Sequence, residues 1–379
     1  MKTISALIVL ITLLAVAKLL TSGKPPTESD RFTSLSDLPG GCAWSKAYGI
    51  SADGTAVVGH SNSATGMEAF RWTKELGMVG LGFPQANAIS ADGSVVVGYQ
   101  HIDKLAEPVR WMHHGGIVGL GSLPRAGNGE ATGVSADGSV IVGRCASDLL
   151  EGDNSGLLWS KNDGVKFLHH LRDEVPRAEA WAVSANGAVV VGACEFERGR
   201  SEAFRFSTEG GMTRLGVLSG DYDSIAYAVS IDGSVIVGVS TSGSVVHAFR
   251  WTEATGMVDL GTPPDGSCAC MSSGVSADGS VIVGQCHGAA GFEAFIWDAV
   301  SGLRSVRQIL ESEFDLGTQL RGWKLRAATG VSADGTVVVG YGVNPQGNQE
   351  AWLAFLGDEH RPVVLAADTR AVTVARPHQ

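Results

Sequence analysis

The chain has 379 residues and 51 glycines; 44% of it is apolar and only 18% charged. This is ample material for a core, which excludes a disordered chain, and the glycines follow no three-residue period, which excludes collagen. Lys and Arg number 28 against 39 Asp and Glu, a net charge of −11, so there is no basic surplus for binding nucleic acid.

Residues 4–17 (ISALIVLITLLAVA) follow Lys2 and end in Ala15-Val16-Ala17. A basic start, an apolar run and a small-residue exit predict a signal peptide over 1–17, cut after Ala17. The alternative is an uncleaved anchor. With Lys18 tolerated, the apolar stretch reaches Leu20, just short of the ~20 residues of a comfortable span. Either way the remainder is expected outside the cytoplasm, secreted, extracellular or periplasmic. The membrane would be met only through that segment. Residues 18–31 read as a polar linker and 358–379 as a C-terminal tail. No second segment is apolar enough over sufficient length to span a bilayer.

From residue 49 one phrase recurs seven times. Its copies are GISADGTAVVG (49–59), AISADGSVVVG (88–98), GVSADGSVIVG (133–143), AVSANGAVVVG (182–192), AVSIDGSVIVG (228–238), GVSADGSVIVG (274–284) and GVSADGTVVVG (330–340). Val/Ile runs favour strands. The Ser-Ala-Asp-Gly between them reads as a type I turn with a left-handed glycine, closing a three-residue loop with a G1 bulge. An aromatic phrase such as EAFRWT (68–73) or HAFRWT (247–252) supplies a third strand, and GMVGLG (77–82) or GMVDLG (256–261) a fourth. A helix is expected only around residues 304–316. Four short strands per repeat predict an all-β, seven-bladed β-propeller with four-stranded antiparallel blades over 32–357. The segment FTSLSDLPGG (32–41) is expected to complete the last blade, with RPVVLAADTRAVTVARP (361–377) competing for that edge.

The phrases VSADGSVIVG, HAFRWT and GMVDLG resemble the extracellular HAF-family repeat of bacterial secreted proteins. So does the closing stretch GWKLRAATGVSADGTVVVGYGVNPQGNQEAWLA (322–354). The resemblance covers about residues 32–356. It implies a secreted or surface β-rich repeat protein and implies no reaction.

The aromatic series Trp72, Trp111, Trp159, Phe206, Trp251 and Trp297, with Trp352 displaced, reads as packing between blades. Glu68, Glu107, Glu202, Glu293 and Glu350, with His247 in the fifth unit, share one strand position. They are expected to pair with Arg or backbone donors. Arg71, Arg110, Arg205 and Arg250 follow three residues later. Each turn aspartate offers one ligand where calcium needs several. No G-x-S-x-G, P-loop or H-E-x-x-H is present. The reading therefore contains no metal, no cofactor and no catalytic residue.

Function is expected on the variable loops. The best patch gathers Asp153, Arg172, Asp173, Glu174, Glu179, Glu195, Arg198 and Arg200, with Trp181 on an innermost strand facing the channel. Two function classes remain. One is a monomeric, non-enzymatic scaffold binding an extracellular protein or glycan. The other is a propeller enzyme, a glycan lyase or hydrolase with acid–base residues at the channel mouth. The first is favoured because no acid–base pair stands out. Hairpin arithmetic about Ala277–Gly279 places Cys286 opposite residue 269 or 270, predicting a Cys270–Cys286 disulfide. The same sum leaves Cys145 opposite Gly129 and Cys194 opposite Ala178.

Overall fold

The computed structural model describes residues 31–121, 126–147, 153–168, 178–197, 199–263 and 269–357. The signal segment, linker residues 18–30 and the tail 358–379 lie outside them. Blade one consists of the strands Gly40–Ile50, Ala56–Ser63, Gly66–Thr73 and Gly77–Gly80, each antiparallel to the next. The following five blades repeat that meander. Blade seven combines Lys324–Val331, Val337–Val343 and Gln349–Phe355 with the N-terminal strand Phe32–Ser34. The result is a seven-bladed β-propeller. Blades five and six share one extra parallel pair, Val246 with Ala269.

The turn phrase works through its side chains. In the sixth copy, Ser276 N–H donates to the Val281 carbonyl, while Val281 N–H returns to Ser276 Oγ. Ser276 Oγ donates to Asp278 Oδ1, which also accepts from Ser280 N–H. Gly279 occupies the left-handed region at φ 71°, where a Cβ would cost strain. Four residues thus separate the closing pair, not the three expected. The serine hydroxyl takes the place of a backbone acceptor and lengthens the loop by one.

The second strand of each blade is apolar on both faces because each face meets a different neighbour. Val57 joins a cluster with Val337, Val339 and Leu353 of blade seven, whereas Val58 packs with Ala86, Val96 and Val109 of blade two. The same sharing recurs between the other neighbouring blades. The aromatic series lies in these shared cores, with Trp159 and Phe206 buried and Trp72, Trp111, Trp251 and Trp297 half-buried. Trp352 departs from the series because it faces Gly340, the slot held by Phe70, Phe204, Phe249 and Phe295 elsewhere.

Ring closure is visible in the backbone. Ala52 N–H donates to Ala91 O, Ala91 to Ala136, Ala136 to Ala185, Ala185 to Ile231, Ile231 to Ala277, Ala277 to Ala333, and Ala333 back to Ala52, at 2.9–3.2 Å. The second turn position thus satisfies one donor and one acceptor in every blade. At the rim, Phe32 pairs with Ala354 and packs edge-on against Trp323 at 5.2 Å. The helix Val306–Ser312 covers this junction, burying Val306, Ile309 and Leu310 beside Phe32 and Trp352.

The carboxylates of the third strand are paired within their own blades. Glu68 accepts from Gly82 N–H, Glu107 from Gln100, Glu202 from Arg214, Glu293 from Ser305 and Glu350 from Asn344 and Ser34. Arg71 donates across to the Gly93 carbonyl of the next blade.

Hydrogen bonds from serine or threonine and from the backbone hold the turn carboxylates below their ordinary range, Asp137 to about 2. For Asp53 and Asp278, burial pushes the other way and is outweighed. The stability they give is therefore complete above the unfolded value of about 3.9 and lost as pH falls toward about 2. Asn186 already makes the same bonds without titrating. Replacing the aspartates by Asn should abolish the fall in melting temperature between about pH 4 and 2, measured by calorimetry.

Candidate functional site

Each first strand carries an irregularity at one place. Ala47 pairs with Gly59 and Gly49 with Val58, which leaves Tyr48 as an extra, unpaired residue. Asn87, Thr132, Trp181, Tyr227, Ser273 and Thr329 are skipped in the same way in the other blades. A β-bulge re-aims the side chain at the extra position. All seven of these residues line one central cavity of about 450 Å³. The residue two before each bulge adds Gln85, Glu130, Met271 and Ala327, and the residue after the VVVG glycine adds Arg144, Gln285 and Tyr341. The channel lining is thus a three-position reading of the repeat.

Charge in the channel centres on Arg144. Its Nε donates to Glu130 at 2.7 Å and Nη1 to Glu179 at 3.2 Å, while the guanidinium lies 4.5 Å from the Trp181 ring centroid. Burial disfavours its charge, but Glu130 and Glu179 outweigh that and hold the group above its ordinary value. Asn87 donates to Glu130 and to the Ala131 carbonyl. Tyr227 meets Trp181 edge-on at 5.3 Å. Burial, aided by Glu179, raises the Tyr227 phenol; burial also raises Tyr48 and Tyr341, so these hydroxyls stay protonated.

A second cavity of about 600 Å³ shares Gln85, Glu130 and Arg144 with the first and runs outward between blades two and three past Tyr99, His101, Lys104 and Asn128. Together they form a cleft leading from the axis to the rim.

On the blade-one side, His60 is 4% exposed and stacks on Trp44 at 4.7 Å with Tyr48 edge-on. Both ring nitrogens are buried without a hydrogen bond. Burial, then the Lys46 charge, lowers its pKa to about 4, with Gln85 acting weakly in the opposite sense. Because the folded value lies below the unfolded ~6.5, stability is full above that pH and falls as pH drops toward 4. His60→Phe keeps the stack and removes the titration. Its melting temperature should be flat between pH 6.5 and 4, with the wild type falling below it.

Of the residues read from sequence, Glu179 and Trp181 meet at Arg144. Glu195 instead accepts from Gly199 N–H in its own hairpin at 2.7 Å, and Arg200 is exposed with its guanidinium 5.7 Å from the Tyr222 ring. They do not join the channel group. Arg172, Asp173, Glu174, Arg198 and the Asp153 side chain lie outside the described residues; the Asp153 backbone pairs with Ser147. Arg144, Glu130, Tyr48, Tyr227 and Tyr341 were not singled out. The signal for them is the variable residue in A-x-[GA]-[VI]-S, the residue just before that alanine, and the residue after VVVG.

Cys270 and Cys286 face each other and are joined by a disulfide. Cys145 and Cys194 are buried free thiols opposite Gly129 and Ala178, and Cys42 is exposed. Burial pushes Cys145 up to about 11 and Cys194 up to about 12, so neither is a nucleophile at neutral pH. Ala178→Cys reproduces the natural register in blade four. It should form a second hairpin disulfide and raise stability by about 2–3 kcal/mol, measured as the difference between oxidised and reduced melts. Among the described residues no three His, Cys, Asp or Glu side chains gather as a metal site.

No family model and no curated protein matches the chain. Among solved structures, the oligogalacturonate lyase of Vibrio parahaemolyticus aligns with TM-score 0.57 and 10% identity, over 83% of this chain and 92% of that one. An oligogalacturonate lyase in complex with manganese aligns at 0.55 and 13%, over 82% and 89%. TolB of Acinetobacter baumannii aligns at 0.48 and 15% over 67% of this chain, which spans 63% of that protein. At these identities the two lyases show a common fold, so the chain is similar to propeller proteins in architecture.

Proposed function

We propose that this is an exported β-propeller that binds a glycan at its channel mouth. The observation that carries the reading is the set of bulges, which turn one residue from every blade into a single cleft. Trp181, Tyr227, Tyr48 and Tyr341 offer flat apolar faces, and Asn87, Gln85, Gln285 and Thr132 offer amides and hydroxyls. Sugars present the complementary pair of surfaces, apolar C–H faces and polar edges. The radial extension past Tyr99 and Asn128 gives room for a chain of sugars rather than one. Export is supported by the N-terminal segment, by the likeness of the repeat to HAF-family phrases and by the Cys270–Cys286 disulfide, which persists in oxidising compartments.

A second reading, a glycan lyase or hydrolase, is favoured by Lys46. Burial lowers the pKa of this amine beside the same cleft, a shift in the direction of a general base. A glycan array with the secreted domain tests binding. Trp181→Ala should weaken capture at least tenfold, on about 1.4 kcal/mol for a stacked aromatic. Time-dependent shortening of a captured glycan would select the enzyme instead. Capture of no glycan would overturn both.

A further inference from the structure

We infer that the glycan is acidic, its carboxylate received by Lys46 and Arg326 where blades seven and one meet at the channel mouth. This rests on the glycan-binding reading and adds the charge of the ligand.

The placement follows from the repeat. Lys46 holds the position two before the bulge of blade one, equivalent to Gln85, Glu130, Met271 and Ala327, which line the central cavity. Its ammonium lies 4.6 Å from the ring centroid of Tyr341, another lining residue. Blade seven has a second bulge that no other described blade repeats at this place. Leu325 pairs with Gly342 and Ala327 with Tyr341, so Arg326 is extra and turned out of the ladder beside Tyr341. Its charge reaches the Tyr341 phenol, lowering it against burial. Two cations thus flank one cavity-lining tyrosine.

Neither cation makes an ion pair among the described residues, and both acids of the channel are occupied elsewhere. Glu130 and Glu179 are bound to Arg144 on the opposite wall. The residue facing Lys46 across the hairpin is His60, neutral at physiological pH and without a hydrogen bond. Lys46 and Arg326 therefore stand beside a cavity-lining tyrosine without a carboxylate partner among the described residues, inside a chain of net charge −11. A half-buried amine left without a counter-ion is costly, and Lys46 is displaced from its ordinary pKa by that burial. A carboxylate would relieve it, and the Arg326 guanidinium, whose charge also reaches Tyr341, offers a forked donor to a planar two-oxygen group.

The test is an array of uronate-containing oligosaccharides beside their carboxyl-reduced, neutral counterparts, probed with the secreted wild type and with Lys46→Gln/Arg326→Gln. The wild type should bind members of the acidic set at least about tenfold more tightly than the reduced forms, one charge-assisted contact being worth that factor. The double variant should lose that preference while binding the reduced forms as the wild type does. Its melting temperature should be at or above the wild type's, since Arg326 is exposed and the half-buried Lys46 has no counter-ion to lose. Equal binding of acidic and reduced glycans overturns the carboxylate assignment and leaves the glycan reading standing. A carboxylate preference that survives the double substitution overturns the placement. Binding of acidic peptides with no glycan captured overturns both.

Discussion

A chain lacking residues 32–38 should lose its cooperative fold. Phe32, Leu35 and Leu38 are 3%, 1% and 4% exposed; Phe32 fills the core between blades six and seven, and Leu35 and Leu38 that between seven and one. Leu35 N–H donates to Ala351 O, and Leu38 N–H to Ser61 Oγ. Ser45 Oγ bridges the two ends, donating to Ser36 O and accepting from Ala351 N–H. Burial of three large apolar side chains is worth roughly 5–8 kcal/mol, about the whole stability of an ordinary domain. Phe32→Ala alone should cost roughly 3–5 kcal/mol, because Trp323 and Trp352 both pack on that ring. Circular dichroism melts and limited proteolysis read both effects. A truncated chain that still melts cooperatively within a few degrees of the full one would show that the ring closes without this strand.

The second large effect is expected at a glycine with ordinary backbone angles. A Cβ on Gly238 would lie 1.9 Å from the Ile225 carbonyl oxygen and 2.9 Å from Ala226 Cα. These are backbone atoms of the innermost strand, next to the bulge at Tyr227, and cannot swing aside. The equivalent glycines 59, 98, 143, 192, 284 and 340 meet the same carbonyl at 1.9–2.1 Å. Gly238→Ala should therefore cost roughly 3–5 kcal/mol and disturb Tyr227 in the channel. Gly256→Ala is the control. Its Cβ meets nothing within 4 Å, so only the left-handed penalty of roughly 1 kcal/mol remains. If the two variants melt alike, crowding is not what reserves the VVVG position for glycine.

The blades, their order and the Cys270–Cys286 pairing were legible because they follow from period and register, which strands obey over short distances. The channel was not, and the bulge is the reason. Alternation along AYGIS or ATGVS reads as a plain strand, and nothing in that pattern announces an extra residue. The bulge appears only when the close approach at Gly59 or Gly143 is seen. Arg144 was hidden for a related reason, standing directly after VIVG in what reads as core. Charge density drew the eye instead to Glu195 and Arg200, which lie on a hairpin away from the axis. Glu179 and Trp181 were found because their strand was already expected to be innermost.

The pairing of Phe32 with Ala354 also has a consequence in time. Seven of the eight apolar clusters among the described residues draw on two blades, so a blade emerging alone has one bare Val/Ile face waiting for its successor. The first strand waits longest, since its partner is made some 320 residues later. During synthesis the leading strand therefore stays unpaired until the final hairpin has been made. A chain slow to dock its first strand would leave the edge of Gln349–Phe355 open to a strand from another molecule. A second copy could then donate its own Phe32–Ser34 and produce an exchanged dimer, with each ring sealed by its neighbour.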